Sequence, residues 1–234
     1  MEDTDLKIKL RQMIPQGNKS IIIRPFRPED RAVVRHICYE TSFLERPQLF
    51  IQDPDIVADV LTAYSTDYEP EECLVAECDG GVVGYLVGTR DLNRMNQVFF
   101  RKMLMPLLWR TLKRGVFLKA QAWQFLWSAL KCVLKGDFRF PDFSRQYPAS
   151  LHINVNKEFH GLNIGKKLIE HYLNHLKTQK VPGVLVSVMT KQGRDFFLHN
   201  DFQVLVQTTR SLFCYRLGFD IPQYLLGKKI ASNN

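Results

Sequence analysis

With 234 residues, 45% of them hydrophobic and 24% charged, the chain has the length and composition of one large domain, or of one domain carrying an insertion. No run reaches the ~18 consecutive apolar residues of a membrane span, and the acidic opening Met1-Glu-Asp-Thr-Asp5 does not read as a signal peptide; the scattered cysteines make a reducing, cytoplasmic setting the expectation. The five cysteines (Cys38, Cys73, Cys78, Cys132, Cys214) form no Cys-x-x-Cys pair; neither a metal site nor a disulfide framework is expected, and Cys38, Cys73 and Cys214 read as buried small hydrophobes.

Residues 1–19 are polar, although Leu6, Ile8 and Leu10 alternate. Ile21–Arg24 reads as a strand. Pro28-Glu-Asp30 starts a helix, with proline in the first turn and acids near the positive end of the dipole. That helix carries Val33, Val34, Ile37, Cys38 and Phe43 on its inward face. Asp53-Pro-Asp55 starts another, with Ile56, Val57, Val60, Leu61 and Tyr64 inward. Cys73–Glu77 and Val82–Thr89 are strands joined at Asp79-Gly-Gly81, a hairpin signal.

The segment Leu92–Gly136 holds nine basic residues (Arg94, Arg101, Lys102, Arg110, Lys113, Arg114, Lys119, Lys131, Lys135) and no Asp or Glu. The net charge of +8 therefore resides there, and the rest of the chain nets −1. Val98–Leu112 and Phe117–Leu134 read as two helices hinged at Gly115, with Pro106 interrupting the first. In the second, Gln124, Ser128, Lys131 and Lys135 make one polar stripe among Trp123, Phe125, Leu126, Trp127, Leu130, Val133 and Leu134. The wide apolar arc is expected to face inward, as a hairpin packed on the domain or on a second copy in a homodimer. Two other readings are a lid over a substrate pocket and a peripheral contact of 92–136 with an anionic membrane surface. With the aromatics turned inward, a stacking platform for nucleic acid is not expected.

Ser150–Glu170 is the most telling stretch. Leu151, Ile153 and Val155 alternate as in a strand, His160-Gly-Leu-Asn-Ile-Gly165 is a polar turn, and Lys166–Lys177 shows helical spacing with Leu168, Ile169, Tyr172, Leu173 and Leu176 on one face. Strand, glycine-bearing turn and helix start make an anion site, because the unpaired first N–H groups and the dipole both point into the turn. Val184–Met189 reads as a further strand.

These residues resemble the acyl-CoA-binding core of the GNAT acetyltransferase superfamily. Its pattern Arg/Gln-x-x-Gly-x-Gly/Ala falls on His160, Asn163 and Gly165, after a strand ending in Val155; His160 and Asn163 depart from it. The family's Asn-x-x-Ala-x-x-x-Tyr-x-x-x-Gly-Phe helix falls on Thr190, Gly193, Phe197, Asp201 and Phe202. Ile21–Asp30 resembles the family's opening, and Gly81–Gly88 its central hairpin strand. The likeness covers roughly residues 20–91 and 147–219, and it implies last strands within Val204–Leu217. It implies an α/β fold over 1–234 as a single domain, with a central mixed, mostly antiparallel twisted sheet flanked by helices. A helical insertion (about 92–146) would separate the third and fourth core strands.

The resemblance also implies a chemistry: transfer of an acetyl group from acetyl-CoA to a primary amine of a small molecule or peptide, by direct attack on the thioester. Ile153, Asn154 and Val155 would pair with the pantetheine arm, and the Val155 N–H would polarise the thioester carbonyl. His160, Gly161, Leu162, Asn163, Ile164, Gly165 and Lys166 would surround the pyrophosphate, with Thr190, Gly193 and Phe197 completing the cofactor contacts. Family bases sit four or six residues before the strand-end Val, but Leu151 and Ala149 cannot titrate. His152 is the nearest candidate catalytic base, beside Tyr147 and a water chain. Phe197 occupies the position of the usual Tyr acid; a thiol of pKa near 8.5 leaves as thiolate without one. An acyl-CoA-binding module with little catalysis and a membrane-docked acyltransferase are the alternatives.

Overall fold

The computed structural model describes residues 20–42, 53–137 and 139–230. The alternation at Leu6–Leu10 and the side chain of Phe43 lie outside them. Seven strands form one sheet: β1 (Ile21–Pro25), β2 (Cys73–Cys78), β3 (Gly81–Thr89), β4 (Ala149–Val155), β5 (Gly183–Val188), β6 (Gln203–Arg210) and β7 (Ile221–Lys229). Their order is β1-β2-β3-β4-β5-β7-β6. All neighbours are antiparallel except β4 and β5, which are parallel. The β2–β3 turn is made by Asp79 (φ 50°) and Gly80 (φ 82°). Two positive φ values in a two-residue loop match the twist of the strands it joins.

Alternation sorts each strand's side chains onto two faces. On one face, α6 (Ile164–Thr178) and α7 (Lys191–Leu198) pack Leu168, Ile169, Tyr172, Leu176 and Phe197 against Leu86, Leu151, Val184 and Leu226. On the other, α1 (Arg31–Thr41), beside α2 (Pro54–Tyr68), packs Val34, Ile37 and Cys38 against Val75, Tyr85 and Val87. Cys38, Cys73, Cys78 and Cys132 are buried and outside any disulfide, and Cys214 is partly exposed. The last strands run further than Val204–Leu217: β6 ends at Arg210, α8 (Cys214–Leu217) follows, and β7 returns to Lys229.

The insertion lies between β3 and β4 as expected, but its helices differ in extent and aspect. It holds α3 (Leu92–Val98), α4 (Leu104–Lys113) and α5 (Ala120–Lys135), with a π-helical turn over Phe99–Met103. Asp91 caps α3 by accepting from Asn93 and Arg94 N–H, which starts the first helix earlier than its apolar residues suggest. Pro106 has no N–H for the carbonyl of Lys102, and the wide turn immediately before it absorbs that loss. Gly115 (φ 64°) makes the bend before α5. The apolar arc does not turn inward: Trp109, Trp123 and Trp127 are all exposed. Only Ser128 and Cys132 are buried along α5, where Cys132, Phe125 and Ala129 join Leu212, Phe213 and Ile221. The polar stripe of Gln124, Ser128, Lys131 and Lys135 instead lines a pocket facing Ser211, Cys214 and Tyr215. Small side chains permit the close approach, and the bulky ones are left outside. The inward aromatics expected from the sequence are thus corrected.

Candidate functional site

The β4 and β5 strands pair over only two positions, Ala149↔Val184 and Ser150↔Leu185. Beyond them β4 stays paired with β3 as far as Gly84↔Val155. The free edge of β4 therefore borders a cleft. A cavity of about 270 Å³ opens there, lined by Leu92, Ser150, Leu151, His152, Leu185, Val186, Ser187 and Leu225.

Which backbone groups face this cleft follows from peptide geometry. The carbonyls of Ser150 and Asn154 lie against Gly88 and Gly84 of β3, 3.0 and 3.2 Å from where a Cβ would stand on each glycine. In a trans peptide the N–H points opposite to the carbonyl. The N–H groups of Leu151 and Val155 therefore point away from β3, toward β5, and ladder alternation puts that of Ile153 on the same side.

The strand leads into the turn expected from the sequence. Asn156 N–H donates to Val83 O at 2.8 Å and anchors the strand end. A 3-10 turn over Lys157–Phe159 follows, with Phe159 buried. Gly161 has φ 85° and Asn163 φ 56°, so Asn163 is left-handed, a conformation asparagine accepts more readily than most residues other than glycine. Asn163 sits at the N-cap of α6 without a capping side-chain hydrogen bond, so its side chain leaves the first-turn N–H groups open. His160 Nε2 lies 3.0 Å from Val155 O and donates to it, which ties turn to strand. In neutral His160 the other nitrogen is then an acceptor, so donation to a phosphate from that ring requires protonation. Gly165 is close-packed: a Cβ there would meet Phe196 Cζ at 2.9 Å. Ile164 is buried, Leu162 is exposed, and Lys166 is exposed with Glu170 at 3.8 Å.

His152 and Asn154 project to the opposite face of β4, toward Tyr85. Asn154 Nδ2 lies 2.7 Å from Tyr85 Oη and 2.9 Å from His152 Nε2. The amide donates to both, so the Nε2 lone pair is occupied and the imidazole proton sits on Nδ1. The half-buried ring borders the cavity, and desolvation by the protein packed around it lowers its pKa to about 4. His152 is thus a neutral, weakly basic ring. Tyr147 is 4% exposed and packs beneath Gly183 and Gly227, away from the cleft.

The second motif helix packs rather than faces the cleft. Thr190 caps α7 by accepting from Gly193 N–H at 2.9 Å. Phe197 is 3% exposed and sits edge-on to Phe196 and Phe202. Asp201 has φ 61° at the family's glycine position. Ser187 was not singled out from the sequence, yet its hydroxyl borders the cavity, and the buried Gln223 donates Nε2 to it at 2.8 Å. Its one signal is that Ser187 is the polar residue of an otherwise apolar strand. Among the described residues no group of His, Cys, Asp and Glu is placed to hold a metal ion.

Comparisons with known proteins fit this geometry. The crystal structure of SsHAT superposes with a TM-score of 0.68 at 25% identity, over 91% of this chain and 100% of that one. Drosophila melanogaster polyamine N-acetyltransferase, which forms N-acetylagmatine, gives 0.56 at 13% identity over 90% and 100%. The yncA protein of Salmonella typhimurium, solved with acetyl-CoA, gives 0.54 at 13% over 92% and 96%.

The chain has the GNAT acetyltransferase fold.

No family model matches the sequence. By sequence it is 24% identical over 221 residues to Protein O-GlcNAcase of Rattus norvegicus and of Mus musculus, across 91% of this chain and 22% of each of those proteins. The chain thus spans about a fifth of the length of these curated relatives. Within the GNAT fold, the parted β4 and β5 and the turn before α6 occupy the positions where the sequence resemblance places acyl-CoA.

Proposed function

We propose that this chain is an acetyl-CoA-dependent N-acetyltransferase acting on a primary amine. The observation that carries the reading is the parting of β4 from β5 directly before the open N-terminus of α6. Bound acetyl-CoA would supply an activated thioester carbonyl. The first-turn N–H groups of α6, with Gly161 and the left-handed Asn163, would hold its pyrophosphate. The N–H groups of Ile153 and Val155 face the cleft and would pair with the pantetheine arm as an added strand does. The Val155 N–H would donate to the carbonyl oxygen as negative charge develops on it.

His152 does not suit the role of base, because its lone pair is engaged and its basicity is low. The amine would then lose its proton to water in the cleft. Ser187 accepts from Gln223, which leaves its own O–H free to donate toward the thiolate sulfur.

The lining also bears on the acceptor. Among the described residues the cavity walls are apolar apart from Ser150, His152 and Ser187, and no carboxylate lines them. A polycation such as a polyamine would find no counter-charge on these described walls, so the favoured acceptor is a primary amine with a short, uncharged tail. The test is thiol release from acetyl-CoA with a panel of amines. Turnover that is faster with uncharged-tail amines than with agmatine or spermidine supports the reading. Tight CoA binding with no turnover on any amine, or a preference for spermidine, overturns it.

A further inference from the structure

The insertion exposes two apolar stripes with helical spacing. On α4 they are Met105, Leu108, Trp109 and Leu112, between 43% and 68% exposed. On α5 they are Trp123, Leu126, Trp127, Leu130, Val133 and Leu134, between 42% and 78% exposed. Leu118, at the bend between the helices, is 90% exposed. An exposed face of this extent marks an interaction surface.

Charge decides its partner. Among the described residues, acids of the domain hold Arg94, Arg110 and Arg114 of this segment. Arg110 pairs with Asp59, Arg114 with Asp53 and Asp55 at 2.8 and 2.7 Å, and Arg94 with Glu69 at 3.6 Å. The first two fix α4 to α2, so the stripe on α4 is held in place. Arg101, Lys102, Lys113 and Lys131 border the apolar stripes, and the segment itself carries no acid. Lys113 Nζ lies 5.1 Å from the centre of the Trp109 ring, and Lys131 Nζ lies 5.5 Å from that of Trp127. Each stem therefore covers an indole while its charge stays at the surface. Apolar helix faces carrying tryptophan and rimmed by lysine suit a boundary between hydrocarbon and anionic headgroups. A second copy docked through the same face would set one acid-free basic segment against another, and repulsion opposes that pairing.

We infer that α4 and α5 seat this chain on an anionic lipid surface. The helices lie on the bilayer rather than through it, since among the described residues no helix is long and apolar enough to cross.

The chain supplies its own probe, because its three tryptophans are all in this hairpin. The full chain is mixed with vesicles of phosphatidylcholine alone, or with roughly 30% phosphatidylglycerol added, and binding is read by flotation and by tryptophan emission. The expected result is flotation with the anionic vesicles and a shift of emission to shorter wavelength. Binding to the neutral vesicles should be at least about tenfold weaker, and about 0.5 M salt should reverse much of the difference. The combined change Lys102→Glu, Lys113→Glu and Lys131→Glu should lower flotation by more than about tenfold. Those side chains are at the surface, and an unchanged melting temperature verifies folding. Trp109→Ser with Trp127→Ser, read by flotation, should weaken binding with charge intact. No flotation with either vesicle overturns the inference, and so does equal flotation with both. A concentration-dependent dimer whose emission is already shifted without lipid also overturns it, because a second copy then covers the face. None of these outcomes depends on acetyl transfer, so this inference and the proposed function stand or fall separately.

Discussion

The side-chain amide of Asn154 donates to Nε2 of His152 at 2.9 Å, and the two residues share one face of β4. Residues two apart on a strand share a face, so this pairing sets the tautomer of the histidine at the cleft. Burial lowers the His152 pKa from 6.5 to about 4. The unfolded state therefore takes up a proton at a higher pH than the native state does. Stability from this residue is complete above pH 6.5 and is lost as pH falls toward 4, by roughly 3 kcal/mol in all. Denaturant melts of the wild type and His152→Gln across pH 4–7 should converge as pH falls, with the wild type the steeper. Parallel slopes would contradict the assigned state.

The same pKa shapes the rate profile. A base titrating near 4 leaves no limb near pH 6.5 in kcat/KM. His152→Ala should lower the rate less than the roughly tenfold expected of a lost general base. An acidic limb at pH 6–7 that vanishes in this variant would return His152 to catalysis.

Asn163 separates charge from fit at the phosphate turn. Gly165→Asp adds charge there but also drives a Cβ into Phe196, so a loss of binding would have two causes. Asn163→Asp keeps a residue that tolerates φ 56° and adds only the charge, at a helix N-cap where Asp is favourable. It should weaken CoA binding by roughly tenfold, the scale of one charge near an anion at the surface, without lowering the melting temperature. Unchanged affinity by calorimetry would remove phosphate from this turn.

The Val155 N–H faces the cleft, so removing it breaks no bond to β3. Proline is tolerated at such strand positions. Val155→Pro should lower kcat by roughly 100-fold if this donor meets the carbonyl oxygen. CoA affinity should change much less. Parallel losses in both would show a distorted strand instead.

Gly88 tests the packing that holds the cleft end of the sheet. A Cβ there would lie 2.2 Å from Tyr172 Oη and 3.0 Å from Ser150 O. Tyr172 Oη donates toward the carbonyls of Ser150 and Thr89 at 3.3 and 3.4 Å, so it has no room to move. Gly88→Ala should cost at least about 1–3 kcal/mol. A neutral effect on the melting temperature would contradict this packing.

Much of this architecture was legible because it is local. Asp79-Gly80 specified a hairpin, alternation specified β4, and the αL tolerance of Asn163 placed the turn before α6. The cleft was not legible, because the parting of β4 and β5 depends on a parallel register between strands about thirty residues apart. Ser187 and Leu225 reach the cavity only through that register. The aspect of α5 was misread because an apolar arc does not state which side is covered. The better signal was the small pair Ser128 and Cys132, four apart, which lets the helix approach the loop after β6. Thr190 and Gly193 matched a motif, yet in the structure they serve the start of α7, a local need that a motif does not distinguish from ligand contact.

The central claim is that the parted strands and the turn before α6 hold acetyl-CoA for transfer. Calorimetric titration of the wild type and Asn163→Asp with acetyl-CoA, run beside thiol release with an uncharged-tail primary amine, tests it most directly. The account predicts saturable 1:1 binding, weakened roughly tenfold by the added charge, with amine-dependent thiol release. Absence of binding to the wild type, or binding without amine-dependent release, would contradict it.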